Sequence, residues 1–113
     1  MISLKYLCDA YFIYFTSQNI NKLSEIFSDD IELIDWNIHV EGKEKVLSEL
    51  KKIFNNVKSI RISPKEYYED NKTVCCEISI KIENENESEL IQVVDIITFN
   101  NYGKIEKINA YKQ

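Results

Sequence analysis

Thr73-Val74-Cys75-Cys76-Glu77-Ile78-Ser79-Ile80-Lys81-Ile82 is the stretch that decides the fold. Val74, Cys76, Ile78, Ile80 and Ile82 alternate with Thr73, Cys75, Glu77, Ser79 and Lys81. A period of two puts the first set on one face of a long strand and the second set on the other. Ahead of it, Ile60 and Ile62 alternate with Ser59, Arg61 and Ser63, and Pro64 marks an edge, bend or bulge. Asp70-Asn71-Lys72 reads as the intervening turn. Behind it, Asn84 to Ser88 is a polar hairpin connection. Leu90 to Phe99 is apolar on both faces, which predicts a central strand or one covered on both sides. Asn100-Asn101-Tyr102-Gly103 is a turn in which Gly103 supplies a positive φ, and Lys104 to Lys112 closes the sheet.

Before Val57 the period is near 3.6 rather than 2. Ser3 to Asn19 reads as a helix with Leu4, Leu7, Cys8, Tyr11, Phe15 and, at the margin, Tyr14 on one stripe. Asn19-Ile20-Asn21 breaks it, and Asn21 is a candidate N-cap for a short helix from Lys22 to Phe27. Ser28-Asp29-Asp30 reads as a turn and Ile31 to Trp36 as a short strand. Asn37 to Glu41 is a loop or a second short strand, and Gly42 turns the chain into an amphipathic helix from Lys43 to Phe54. Helices followed by hairpin-linked strands predict an α+β fold, with helices packed on one face of a curved, mainly antiparallel sheet.

At 113 residues, 44% of them hydrophobic, the chain is expected to form one domain spanning 1–113. The 19 acidic and 14 basic residues give a net charge of −5, against what phosphate-backbone binding or a polybasic membrane anchor requires. No apolar run approaches the ~20 residues of a membrane span. Lys5 and Asp9 interrupt the N-terminus, so residues 1–9 do not read as a secretion signal. Cys8, Cys75 and Cys76 are odd in number and lack metal-site spacing. They read as ordinary thiols of a protein in a reducing, cytoplasmic compartment. One histidine, His39, and dispersed acids give no ligand cluster, so neither a metal nor a cofactor is expected.

Asp95 is the most informative single residue. On a strand it shares a face with Ile91, Val93, Ile97 and Phe99, which puts a carboxyl group in an apolar row. Such a group stays protonated or finds a strong donor. Once protonated it can donate to an oxyanion. The alternative is that this face is turned outward, or that Asp95 satisfies a backbone group. Asp35 follows Ile31 and Leu33 at the end of the first strand, where it is either a general base at the edge of an apolar pocket or a solvated turn residue. Tyr11 on the first helix either packs its ring and bonds locally or points its hydroxyl into a pocket.

The tract Phe27-Ser28-Asp29-Asp30-Ile31-Glu32-Leu33-Ile34-Asp35, Gly42 opening a helix, and the ending Val94-Asp95-Ile96-Ile97-Thr98-Phe99-Asn100-Asn101-Tyr102-Gly103-Lys104-Ile105 resemble the nuclear-transport-factor-2-like, or SnoaL-like, superfamily. The resemblance covers essentially the whole chain and implies a cone in which the bent sheet and helices enclose an apolar pocket. It also implies a homodimer. Within the superfamily the site pattern is most similar to that of ketosteroid isomerases. Asp35 falls at the position of their base, and Tyr11 and Asp95 at those of their two oxyanion donors. The resemblance implies a small apolar carbonyl or phenol-like ligand, with Trp36, Tyr14, Phe15, Ile97 and Phe99 lining the pocket; His39 reads as a surface or interface residue, or, from its proximity to Asp35, as an accessory proton shuttle. Trp36 stands where those enzymes typically carry proline, which puts steroid-sized ligands in doubt. The same fold also hosts non-catalytic binders. The scytalone dehydratase and limonene epoxide hydrolase patterns fit less well: the first needs two histidines, and Arg61, the one arginine, has no flanking acid.

Overall fold

The computed structural model describes residues 3–113. Met1 and Ile2, part of the stretch read above as no secretion signal, lie outside them. Three helices and six strands follow in the order α1 (Leu4–Thr16), α2 (Ile20–Ile26), β1 (Phe27–Ile34), β2 (His39–Glu41), α3 (Lys43–Asn55), β3 (Ser59–Asp70), β4 (Thr73–Glu83), β5 (Ser88–Phe99) and β6 (Ile105–Lys112). The helices lie on a six-stranded mixed sheet of order β2-β1-β6-β5-β4-β3. All neighbouring strands are antiparallel except β1 and β6, which run parallel. The sheet curls without closing, giving the expected α+β cone.

Local chemistry explains the element ends. Ser3 caps α1 by accepting from Tyr6 N at 3.1 Å. Asn19, not Asn21, caps α2, accepting from Lys22 N at 3.1 Å. The helix therefore starts at Ile20, which packs against the core and could not serve as linker. Gly42 opens α3 at φ 99°, a conformation that side chains with a Cβ rarely take. Gly103 adopts φ 75° in the β5–β6 turn, as expected.

One strand expectation needs correcting. Ser28, Asp29 and Asp30 are not a free turn but part of β1, because Phe27 is already buried and anchors the strand early. The turn signal survives as a break in register: Phe27 pairs with Ile105, whereas Glu32 pairs with Lys107. Within the break Asp29 and Asp30 are exposed, and Ser28 Oγ donates to Asp30 Oδ1 at 2.9 Å. The expectation of a central strand holds for β5. It is interior to the sheet, but only its inner face is deeply buried, and Val94 and Ile96 on the outer face are half-buried. Pro64 does mark a bulge on an edge strand: β3 is last in the sheet and its register shifts between Pro64 and Glu66.

The core lies between the inner sheet face and the helices. Tyr11 and Phe15 of α1 meet Phe27 and Phe54 in an aromatic cluster with centroid separations of 5.0 to 6.1 Å. Cys8 on α1 and Cys76 on β4 are both fully buried there as small core thiols, and Cys75 beside them is half-buried. The neighbouring Cys8 thiol and burial push the Cys76 pKa up, so it stays a thiol. No helix among the described residues is long and apolar enough to cross a membrane.

Candidate functional site

One end of the inner face is not filled. A cavity of about 250 Å³ opens there, and each long strand contributes to its wall from the same end of the sheet. Ile60 and Ile62 come from β3, Ile80 and Ile82 from β4, Ile91, Val93 and Asp95 from β5, and Ile108 and Ala110 from β6. Antiparallel register brings these positions level, for example Ile62 with Ile80 and Ile80 with Ile91. Tyr11 and Phe15 of α1 and Leu50 and Ile53 of α3 form the opposite wall, and Asp35, Trp36, Asn37 and Ile38 form the lip.

Asp95 and Tyr11 are the polar groups of the cavity's inner wall. Asp95 pairs across the sheet with Cys76 and Ala110, and it faces inward between Val93 and Ile97. Asp95 is 5% exposed and Tyr11 3%. Among the described residues no side-chain hydrogen bond engages either group, yet no deeply buried side-chain oxygen or nitrogen is left unpaired. Both polar ends therefore open onto the cavity, whose wall they form. Burial, helped by the Asp35 charge, raises the Asp95 pKa from 3.8 to about 7. Burial, together with the charges of Asp95 and Asp35, raises that of Tyr11 well above 10.0. Both groups can therefore hold a proton in the cavity near neutral pH and donate it in a hydrogen bond.

Asp35 lies just beyond β1, and its geometry is set by its own turn. Its Oδ1 accepts from Asn37 N and Ile38 N, each at 2.7 Å, while its backbone N–H donates to Ile38 O at 2.8 Å. This Asx turn holds the carboxylate at the lip and leaves its second oxygen without a side-chain or backbone donor among the described residues. Trp36 follows in the same turn at 43% exposure, with Lys112 Nζ 5.7 Å from its ring centroid. The structure thus brings Asp35, Tyr11, Asp95, Trp36 and Phe15 to one cavity.

Four expected site residues lie elsewhere. Ile97 and Phe99 share the inner face with Asp95 but belong to the filled end of the sheet, where both are fully buried core. Tyr14 packs partly buried against the core, on the flank of α1 rather than on the line of Tyr11 and Phe15. His39 pairs in register with Ile34, whose side chain faces away from Leu33 and the cavity. There its Nε2 meets Glu32 Oε2 at 2.6 Å. Sequence reasoning missed Leu50, Ile53 and the paired isoleucines of β3 and β4 as wall residues. Their alternation reveals a buried face, but not which end of it stays open.

Strand pairing also corrects the reading of dispersed acids. Glu32 and Glu41 are directly opposite each other, and with His39 they place three ligand-type atoms within 4.8 Å of one another. The group sits on the exposed hairpin, away from the cavity, and Lys107 Nζ lies 4.0 Å from Glu32. Arg61 is exposed on β3 and takes no part in the cavity wall.

The profile of the SnoaL-like domain matches residues 8–108. No curated protein sequence matches the chain. Among solved structures, it is similar to an NTF2-like protein of unknown function from Burkholderia pseudomallei, with a TM-score of 0.88 at 12% identity, covering 100% of this chain and 92% of that one. It is similar to an epoxide hydrolase/cyclase-like enzyme of pyran ring formation in the polyether salinomycin, with a TM-score of 0.85 at 17% identity, covering 97% and 90%. An epoxide hydrolase from Mycobacterium tuberculosis, resembling limonene epoxide hydrolase, gives a TM-score of 0.83 at 12% identity, covering 94% and 79%. At these identities the likeness concerns the fold, one that carries small-molecule-binding and catalytic domains.

Proposed function

The chain belongs to the SnoaL-like domain family, and on the chemistry of its cavity we propose that it moves a proton α to a carbonyl in a small apolar ligand, by way of an enolate. One observation carries the reading: two buried proton donors, Tyr11 and Asp95, open without protein partners among the described residues onto an apolar cavity whose lip holds a carboxylate. The free oxygen of Asp35 takes the α-proton, and the electron pair moves onto the carbonyl oxygen. Tyr11 and protonated Asp95 donate to that oxygen as its charge develops. Donors placed this way act where charge appears and need no reorganisation during the step. Asp35 then returns the proton to the same carbon or to a conjugated one. The cavity is below the ~300–1,000 Å³ typical of drug-sized ligand pockets, which favours one-ring ligands over steroids.

Solvent deuterium exchange into cyclohex-3-enone tests the step. Exchange by the wild type and loss of at least about a hundredfold in Asp35→Asn are expected from the size of general-base contributions. Full exchange in that variant would remove Asp35 from the mechanism. A non-catalytic binder is the second reading, favoured by the small size and apolar walls of the cavity. Tight phenol binding with no exchange in any ketone would select it.

A homodimer is part of the same proposal. The outer sheet face carries Tyr68, Leu90 and Tyr111, each more than half exposed, beside half-buried Val94 and Ile96. That apolar strip suits a second copy of the chain, and a monomeric mass by light scattering at micromolar concentration would contradict it. The three free thiols support a reducing, cytoplasmic setting.

A further inference from the structure

The cavity wall contains no lysine, arginine or histidine among the described residues, yet it contains two carboxyl groups, Asp35 and Asp95. Lys112 stacks near Trp36 but is not part of the wall. A carboxylate on a ligand's outer end would therefore find no cationic side chain of the wall to pair with. It would also face the Asp35 carboxylate. An ammonium group would meet the opposite situation at the lip, where the Asp35 carboxylate is the charged group of the wall.

We propose that the cavity selects its substrate by charge: it accepts one-ring carbonyl or phenol compounds that are neutral or carry an ammonium group, and rejects those carrying a carboxylate. This rests on the proposed function, in that the ligand's oxygen is taken to point inward to Tyr11 and Asp95. Its other end then emerges at the lip beside Asp35 and Trp36. The selection is built into the fold because the β1–β2 turn that shapes the lip is closed by Asp35 itself, through its bonds to Asn37 N and Ile38 N. The carboxylate cannot swing away without opening that turn.

Calorimetric titration of p-cresol, 4-hydroxybenzylamine and 4-hydroxybenzoate at pH 6 tests the proposal, since the three share a phenol and differ in charge at the opposite end. The first two should bind. The third should bind on the order of a hundredfold more weakly, the penalty for a like charge ~6 Å away at an effective dielectric near 20. Asp35→Asn, which keeps an acceptor for the turn, should narrow the gap at least about tenfold on the same reasoning. Asn37→Lys, a change at an exposed lip position that leaves the turn's backbone bonds in place, should raise 4-hydroxybenzoate affinity by a similar factor. Affinity for 4-hydroxybenzoate within about threefold of p-cresol would overturn charge selection while leaving the proton-transfer reading standing. Failure of all three compounds to bind would overturn both together.

Discussion

Replacing Asp95 with asparagine should change how stability depends on pH. The native carboxyl group is 5% exposed, has no hydrogen-bond partner among the described residues, and titrates at about 7 in place of 3.8. Between these two values the folded chain keeps a proton that the unfolded chain releases. The advantage of the folded state is thus fully present below pH 3.8, falls as pH rises, and is gone above about pH 7. A separation of roughly three pH units at 1.36 kcal/mol each amounts to about 4 kcal/mol. Set against a total stability of about 5–15 kcal/mol for a domain, that is a large fraction. An amide at this position does not titrate, so the variant should lack this slope. Urea unfolding at pH 4.5, 6, 7 and 8.5 provides the check, with the wild type losing stability relative to Asp95→Asn at each step and levelling above pH 7. Parallel curves across that range would mean that Asp95 is ionised in the folded protein, and the oxyanion-donor role would fall with it.

Tyr11→Phe removes a hydroxyl with no protein partner among the described residues, so unfolding free energy should move by less than about 0.5 kcal/mol. Phenol affinity should fall roughly tenfold through loss of a donor, and an unchanged titration would show that the hydroxyl does not reach the ligand. Leu50→Ala, at a wall residue 2% exposed, should cost about 2–4 kcal/mol in urea unfolding while enlarging the cavity. A cost below about 1 kcal/mol would mean that the wall collapses onto the gap. Gly42→Ala meets no atom within 4 Å but must hold φ 99°, so its cost of about 1 kcal/mol should be conformational alone. Asn19→Ala should lower stability by about 1 kcal/mol, whereas Asn21→Ala should be near neutral, which separates the two cap assignments by thermal melts.

Much of the architecture was legible because side-chain period is a local property. The alternation from Val74 to Ile82 predicted the long β4 and its inner face, and Pro64 predicted an irregular edge strand. Asp95 stood out because its neighbours two residues away on either side are apolar, although Val94 and Ile96 make the other face apolar too, so only helix packing on the sheet decided that Asp95 turns inward. Local signals misled where distant packing competed with them. Phe27 entered the core and drew Ser28 to Asp30 into a strand despite their turn chemistry. The wall isoleucines went unassigned because period reports a face, whereas an open end depends on how far helices reach across it. Glu32, His39 and Glu41 looked dispersed because hairpin register, not spacing in sequence, brings them together.

The sequence by itself determined the succession of helices and strands, which residues share a face of each long strand, and the presence of a carboxyl group in an apolar row. These follow from the fixed periods of 3.6 and 2 and from the cost of burying charge. Only the tertiary structure decided that this carboxyl, the Tyr11 hydroxyl and Asp35 share one cavity, that Ile97 and Phe99 lie in the filled end of the cone, and that His39 faces away. Those outcomes depend on cross-strand register and on where α1 and α3 cover the sheet, both of which join residues far apart in the chain.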